Sequence, residues 1–134
     1  MKKKEEKITY KQAKDKAKTA YSLNIRTKYY KNGTIECYTC GHKNPIKKTQ
    51  AGHGIPGKTN AMLFMEEITR PQCIACNMFR GGRYDVFTPK LMDELGVTKY
   101  RELYRIANRT IKFTTNEMLD IEQKYLAKLW ELSS

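Results

Sequence analysis

The chain has 134 residues, which suits a single domain with a terminal extension. Its 40% hydrophobic content argues against a wholly disordered protein, and its longest apolar run, residues 61–65, is far too short to span a bilayer. Lysine and arginine outnumber aspartate and glutamate by 26 to 14, a formal net charge of +12. A basic surplus spread along the whole chain repels itself unless a polyanion is present, so it favours nucleic acid as a partner over simple solubility.

The first half of the chain is predicted to hold one helix followed by short strands. The helix covers residues 9–31, because small and aromatic apolar residues recur there at helical spacing. These residues are Ala13, Ala17, Ala20 and Tyr21. Asn32-Gly33 is a turn signal, and the β-prone residues 34–39 come next. Residues 41–73 are rich in glycine, proline, lysine and asparagine, which predicts short strands and a long loop.

The chain from Cys73 onward is predicted to be mainly helical. A short helix from Cys73 to Phe79 should end at Gly81-Gly82. Thr88-Pro89 is typical of a helix N-terminus, with threonine as the cap and proline in the first helical position. Gly96 is expected to close that helix.

Two more helices are predicted toward the C-terminus. The first runs from Thr98 to about Asn108, and the second begins at the capping box formed by Thr114 and Glu117. Apolar residues then recur at helical spacing, and we interpret them as ordinary core packing. They are Met118, Ile121, Tyr125, Leu126, Leu129, Trp130 and Leu132.

All four cysteines lie in two Cys-x-x-Cys pairs, Cys37 with Cys40 and Cys73 with Cys76. Because no apolar secretory segment stands at the N-terminus, we expect a reducing cytoplasm, where paired thiols hold metal more often than they form disulfides. Two pairs supply the four thiolates that tetrahedral zinc requires, whereas a redox motif would need only one pair. The cysteines therefore predict one structural zinc site.

The loop between the cysteine pairs is long and carries a histidine. It spans residues 41–72, longer than the about 15–20 residues usual in zinc ribbons, so we expect the zinc to position what the loop holds. His53 lies between two glycines, which let backbone and substrate approach the imidazole. It is either a surface histidine or a general base that takes a proton from water attacking phosphorus. His42 is interpreted as a solvated loop residue or a substitute zinc ligand.

Asn77 is the candidate ligand for a second metal ion. Phosphodiester hydrolysis needs a divalent cation to neutralise charge on the phosphate, and Mg²⁺ prefers carboxylate and amide oxygens. Asn77 directly follows Cys76, so a zinc site would fix its orientation at the start of a helix. Taken alone, Asn77 could equally be an ordinary helix-terminus residue.

Several short motifs in fixed order carry a family resemblance. They are Asn24-Ile-Arg26, Cys37-Tyr-Thr-Cys40-Gly41, Ala51-Gly-His53, Phe64-Met-Glu66, Gln72-Cys73-Ile-Ala-Cys76-Asn77 and Gly82. Together they resemble the HNH, or ββα-metal, nucleases with an endonuclease VII-like zinc site. The set resembles more closely the NinG/Rap recombination-nuclease family of lambdoid phages, over roughly residues 24–132.

The resemblance implies an α+β fold built on a zinc-clamped ββα-metal core. In such a core two strands lead to the general base and a helix carries the metal ligand. The chain would then divide into a basic N-terminal helical segment at 1–32, the zinc-bound nuclease core at 33–88 and a C-terminal helical extension at 89–134, packed on the core.

The resemblance also implies catalytic roles. His53 matches the family's general base, and Asn77 matches the metal-binding asparagine that follows the second cysteine pair. Many HNH enzymes have a metal ligand directly before the base, where this chain has Gly52. Glu66 is therefore the expected second ligand for catalytic Mg²⁺ or Mn²⁺, because the family has a glutamate there. Ile68 occupies the position of an asparagine that orients the base loop in related enzymes.

Glu67, in the same loop, and Asp85, beyond the second cysteine pair, are the other candidates for the second metal ligand. The candidates for contacts to DNA phosphates are Arg26, Lys58, Arg80 and Arg83. Arg80 and Arg83 flank the glycine pair that ends the short helix, close in sequence to Asn77.

The expected function is a metal-dependent endonuclease that hydrolyses phosphodiester bonds in branched DNA, such as Holliday junctions or displaced-strand loops, during phage recombination. One alternative is a zinc-stabilised DNA-binding module without catalysis. Another is a sequence-specific or homing-type HNH nuclease. We expect DNA that is branched or contains single strands as partner, no membrane association, and the host cytoplasm as compartment. A homodimer would suit symmetric cleavage, with the helix around Trp130 as one source of an interface.

Overall fold

A computed structural model describes residues 7–133, so residues 1–6 and 134 of the predicted terminal segments lie outside it. The described residues form α-helices and two small antiparallel sheets. In chain order the elements are α1 (Tyr10–Lys28), β1 (Ile35–Glu36), β2 (Lys43–Asn44), β3 (Thr49–His53), β4 (Thr69–Cys73), α2 (Tyr84–Leu95), α3 (Val97–Ala107) and α4 (Thr115–Ser133). This mixture agrees with the expected α+β class. The division into three segments stays a prediction.

Helix α1 begins at a capping box. The Thr9 hydroxyl accepts a hydrogen bond from the Gln12 amide at 3.1 Å, and the Gln12 side chain accepts one from the Thr9 amide at 2.9 Å. The helix ends at Lys28, earlier than predicted, because Asn32 and Gly33 adopt positive φ angles of 53° and 86° and turn the chain back. The predicted apolar face is confirmed, since all four of its residues are buried.

Strands β3 and β4 form an antiparallel hairpin in which His53 pairs with Thr69 and Gln50 with Gln72. Since successive side chains of a strand point to opposite faces, the hairpin has two distinct surfaces. One contacts α1, where the Tyr21 hydroxyl donates to the Thr69 hydroxyl at 2.7 Å. The other faces the first cysteine pair, where Gln72 donates to the Thr39 hydroxyl, and α2, where Arg70 forms a 3.0 Å ion pair with Glu94.

Helix α2 begins at Tyr84, and the predicted start at Thr88-Pro89 is wrong. Arg83, with a φ of 51°, leads into the helix, and Pro89 lies inside it. The early start places the fully buried Phe87 on the core face of the helix. Thr88 is not a cap; its hydroxyl donates to the Gly54 carbonyl at 3.0 Å. The start of the helix is therefore determined by the burial of Phe87 and the hydrogen bond from Thr88 to Gly54. These outweigh the local threonine-proline signal for a helix N-terminus.

The other helices follow the sequence more closely. Helix α3 lies within one residue of its predicted bounds. The capping box before α4 is confirmed, with hydrogen bonds of 2.9 and 3.1 Å between Thr114 and Glu117. The predicted short helix after Cys73 is a single π-helical turn, Ala75–Phe79, called here the 75–79 turn. No helix within residues 7–133 is both long and apolar enough to cross a bilayer.

The apolar core lies on both sides of the hairpin. On the α2 side, Ile55, Met62 and Ile68 pack with α2 and α3. They belong to the segment between β3 and β4, residues 54–68, called here the histidine loop. On the other side, Tyr21 and Tyr125 join α1 to α4 through an edge-to-face contact with centroids 4.9 Å apart. Only part of the apolar stripe of α4 is buried in the core. The expected burial of Trp130 is wrong, since this side chain is 78% exposed.

Candidate functional site

The four cysteine sulfurs form one cluster. All of them lie within 4.8 Å of one another, and the sulfurs of Cys40 and Cys73 are 3.8 Å apart. A zinc–sulfur bond of about 2.3 Å in a tetrahedron requires sulfur–sulfur separations of about 3.8 Å. Four thiols in this arrangement could hold a zinc ion. The cluster contains cysteines only, so His42, exposed beside it, is not one of the grouped ligands.

Each pair of cysteines is presented by a tight turn. The Gly41 amide donates to the Cys37 carbonyl at 2.9 Å, and Gly41 has a φ of 76° that favours glycine. At the second pair, the Cys76 amide donates to the Cys73 sulfur at 3.4 Å. Cys37 follows β1 and Cys73 ends β4, so a bound ion would tie the small sheet to the hairpin.

The thiols differ in their tendency to ionise. Burial opposes ionisation of Cys37, but hydrogen bonds from the Thr39 hydroxyl and nearby backbone amides outweigh it and lower the pKa of Cys37 to about 6. Burial raises the pKa of Cys76 to about 12. The protein alone therefore stabilises the thiolate of Cys37 and opposes that of Cys76. Four thiolates together require a cation to balance their charge.

His53 ends strand β3 and is partly buried against α1. Its Nε2 lies 3.3 Å from the carbonyl oxygen of Leu63, which fixes the ring. Burial lowers the pKa of His53, and the nearby positive charge of Lys18 lowers it further, while the Leu63 carbonyl opposes them. The imidazole is therefore biased to its neutral form, the form that can accept a proton.

Gly52 leaves room for the side chain of Gln72. A Cβ at Gly52 would lie 1.9 Å from Gln72 Oε1. The Gln72 amide is fully buried, and its Nε2 donates to the Thr39 hydroxyl at 3.1 Å and the Gly82 carbonyl at 2.9 Å. Within residues 7–133, Gln72 Oε1 has no hydrogen-bond partner. The position before the histidine is thus filled from the neighbouring strand, and a carboxylate would not fit there.

Asn77 lies on the 75–79 turn and reaches the hairpin. Its Nδ2 donates to Gln50 Oε1 at 2.7 Å. Gln50 and Gly52 share one face of β3, while His53 belongs to the opposite face. Asn77 therefore lies on the Gln72 side of the strand and His53 on the α1 side, and no hydrogen bond among the described residues joins them.

The carboxylates predicted as second ligands of the catalytic metal contact residues other than Asn77. Glu66 Oε2 forms a 3.0 Å ion pair with Lys128 of α4, and Asp85 pairs with Arg83 at 3.2 Å. Glu67 is exposed. The structure does not bring Glu66 and Asn77 into contact, and their sharing of a catalytic metal stays a prediction.

The candidate phosphate contacts fall into two groups. Arg26 donates to the Ile46 carbonyl at 3.1 Å, and burial lowers its pKa, so its guanidinium serves the fold. Arg83 leads into α2 and pairs with Asp85. Lys58 and Arg80 are exposed to solvent, Lys58 in the loop after His53 and Arg80 beside the cysteines.

Three contacts that shape the site could not be found from sequence. They are the Leu63 carbonyl at His53, Gln50 at Asn77 and the Gln72 amide at Gly52. Only Gln72 carried a signal, its place directly before Cys73 in the family motif. Gln50 and Leu63 act through strand register and loop path, which local sequence does not specify. Ile68, at the position that the resemblance matched to an orienting asparagine, is fully buried in the core.

Comparison with known proteins identifies the family of the chain. The model of the family described as the bacteriophage lambda NinG protein matches residues 1–134. The match takes in the cysteine pairs, the histidine loop and the C-terminal helices. No curated protein and no solved structure matches the chain.

Proposed function

The chain belongs to the bacteriophage lambda NinG family, and from this membership we propose that it is a metal-dependent endonuclease acting on branched DNA in phage recombination. One observation carries the proposal. Strand β3, which ends at His53, strand β4 and the π-helical 75–79 turn, which bears Asn77, follow one another in the chain, an order that supports the expected ββα-metal core. The basic surplus of the chain supports a nucleic-acid substrate.

In this proposal His53 is the general base. Neutral imidazole accepts a proton from water as the water oxygen attacks phosphorus, and the bond to the 3′ oxygen breaks. The products are a 5′-phosphate and a 3′-hydroxyl, whose proton comes from solvent. Contact of the Leu63 carbonyl with the ring holds the imidazole in one orientation, and burial keeps it neutral near pH 7.

A divalent cation bound by Asn77, with Glu66 as the predicted second ligand, would neutralise charge on the phosphate and on the leaving oxygen. The amide oxygen of Asn77 fits Mg²⁺ or Mn²⁺, since its nitrogen faces Gln50. Glu66 would first have to leave Lys128, and the phosphate would have to reach both His53 and Asn77, which lie on opposite faces of β3. The zinc cluster has no catalytic part; it anchors the 75–79 turn to the end of β4.

A non-catalytic DNA-binding module is the second candidate. The observation that favours it is the ion pair of Glu66 with Lys128, which leaves no carboxylate beside Asn77 among the described contacts. A module of this kind would use the zinc cluster and the basic surface alone.

Cleavage of a labelled four-way junction with Mg²⁺ or Mn²⁺ separates these functions. We expect the zinc-loaded protein to cut, His53→Ala to lose about 10²–10⁴-fold in rate, and Asn77→Ala to fold normally and lose metal-dependent cutting. His42→Ala, at the exposed histidine, is the matched control and should cut normally. Binding without cutting by every protein would establish the module. Cutting of a single site in linear duplex would instead indicate a sequence-specific nuclease.

A further inference from the structure

A groove separate from His53 and Asn77 opens beside the first zinc turn. Its volume is about 600 Å³. Sites for small ligands usually have volumes of about 300–1,000 Å³. It lies where the end of α1, the following turn, the small sheet and α2 meet. Its recognition groups are Tyr29, Lys31, Asn32, Thr34, Lys43 and Lys90, called here the Tyr29 groove.

The groove favours an anion. Three lysines line it against a single carboxylate, that of Glu36. Lys31 and Lys43 are exposed to solvent. Lys90 is fixed in place, because its Nζ donates to the Tyr38 carbonyl at 2.9 Å and lies 4.2 Å from the centroid of the Tyr38 ring. One held ammonium and two exposed ones in the same groove suit the spaced charges of a phosphate backbone.

The groove also offers an aromatic face. Tyr29 caps α1, with its amide bonded to the Arg26 carbonyl at 3.3 Å, and its side chain is 36% exposed. The other tyrosine in the groove, Tyr38, is already occupied, since its ring packs on Phe87 with centroids 5.1 Å apart and is covered by Lys90. Tyr29 is the more open of the two rings, because the Lys28 ammonium lies 5.8 Å from its centroid, farther than Lys90 lies from Tyr38, and it is the candidate for stacking. Aromatic rings beside lysines are how proteins bind single strands without sequence preference.

We propose that the Tyr29 groove binds single-stranded DNA, with an unpaired base stacked on Tyr29 and the flanking phosphates held by Lys31, Lys43 and Lys90. The strand must be single because the bases of a duplex already stack on one another. Asn32 and Thr34 supply hydrogen-bonding groups for the base edge. This binding site goes beyond the proposed cleavage, because it includes none of the residues assigned to that reaction.

Fluorescence anisotropy without added divalent metal tests the stacking. The probes are a labelled oligothymidine and an abasic oligomer of equal length, which carries the same charge without bases. We expect wild-type protein to prefer oligothymidine, Tyr29→Ala to weaken that binding by about 5- to 150-fold, and Tyr29→Phe to keep it. Tyr10→Ala is the matched control, since Tyr10 is 37% exposed at the opposite end of α1. Equal binding of both oligomers, or an unchanged affinity in Tyr29→Ala, would overturn the proposal.

A charge swap tests whether the attraction is local. The test compares two double variants. The first, Lys31→Glu with Lys43→Glu, should weaken oligothymidine binding at least tenfold more than the second, Lys99→Glu with Lys112→Glu. The second changes net charge equally, at exposed sites outside the groove. Equal losses would mean that the whole basic surface acts and the groove does not. Displacement of oligothymidine by polyglutamate at matched charge would mean that an acidic peptide fits as well, which also refutes the proposal. Since no cleavage is measured, these outcomes are independent of the proposed nuclease.

Discussion

Gly52 and Gln72 compete for one small volume beside the histidine. From sequence, Gly52 indicated a missing metal ligand. The structure supplies a steric reason, because the fully buried Gln72 amide occupies the space that any side chain at position 52 would need. Local sequence could not reveal this, since the pair is brought together by strand register and not by chain proximity.

We expect Gly52→Ala to destabilise the protein by about 1–3 kcal/mol, because the new methyl group displaces Gln72 and its hydrogen bonds to Thr39 and Gly82. Urea unfolding of zinc-loaded protein measures this. The double variant Gly52→Ala with Gln72→Ala is the control. It should cost less than the sum of the two single changes, and strict additivity would contradict the steric explanation.

The burial of His53 predicts a pH dependence. Because burial lowers its pKa in the folded state, this group contributes stability that is present above the unfolded pKa and is lost as pH falls through the folded value. We expect the His53 ring signals in NMR to titrate below the usual histidine range, and the acid limb of cleavage to follow them. The His42→Asn variant assigns the spectrum, since the chain has two histidines. A midpoint at or above the usual value would refute this account.

At the scale of elements, the histidine loop rests on α2. Gly54 packs so closely that a Cβ there would lie 2.4 Å from Leu91 and 2.8 Å from Phe87, and its carbonyl accepts from Thr88. The sequence predicted a helix in this region but misplaced its start. The burial of Phe87 and the hydrogen bond from Thr88 to Gly54 depend on tertiary packing. A threonine-proline pair in the sequence does not indicate this packing.

Thr88→Val should therefore loosen the histidine loop. The variant keeps the shape of the side chain and removes its hydrogen bond to Gly54, at a cost of about 1 kcal/mol. Because Gly54 adjoins His53, we expect junction cleavage to fall as well. Thr98→Val, at an exposed position of α3, is the control. Normal stability and cleavage in Thr88→Val would show that this contact does not position the loop.

The cysteine cluster joins the small sheet, the end of β4 and the 75–79 turn. Cys73→Ser removes one of its four sulfurs, so we expect loss of bound zinc and of cooperative folding in the region between the cysteine pairs. Metal analysis and far-ultraviolet circular dichroism measure both. Cys40→His, which keeps four ligands at the exposed position, should retain zinc. Full stability of Cys73→Ser without metal would contradict the zinc assignment.

At the scale of the whole molecule, sequence reasoning succeeded where spacing alone determines the outcome. The cysteine pairs, the capping boxes and the apolar face of α1 needed no knowledge of the fold. It failed where partners are distant in sequence, as for Glu66 with Lys128 or the exposed Trp130. These positions depend on how α4 lies against the loop before β4, which no local pattern encodes.

The net charge of +12 predicts steep salt dependence of DNA binding. We expect log affinity to fall linearly with log salt, because each phosphate neutralised by lysine or arginine releases counterions. Titrating the protein with labelled junction at several potassium concentrations measures the slope. A flat response would contradict phosphate-dominated recognition and leave the basic surplus without explanation.

The exposure of Trp130 also has a spectroscopic consequence. As the only tryptophan of the chain, it is the dominant source of intrinsic fluorescence, and at 78% exposure it emits from water already in the folded protein. Its emission wavelength will therefore change little on unfolding. A blue shift at high protein concentration, or on adding a ligand, would instead mean that something has covered the end of α4, so the residue that fails as a folding probe becomes a specific reporter of assembly.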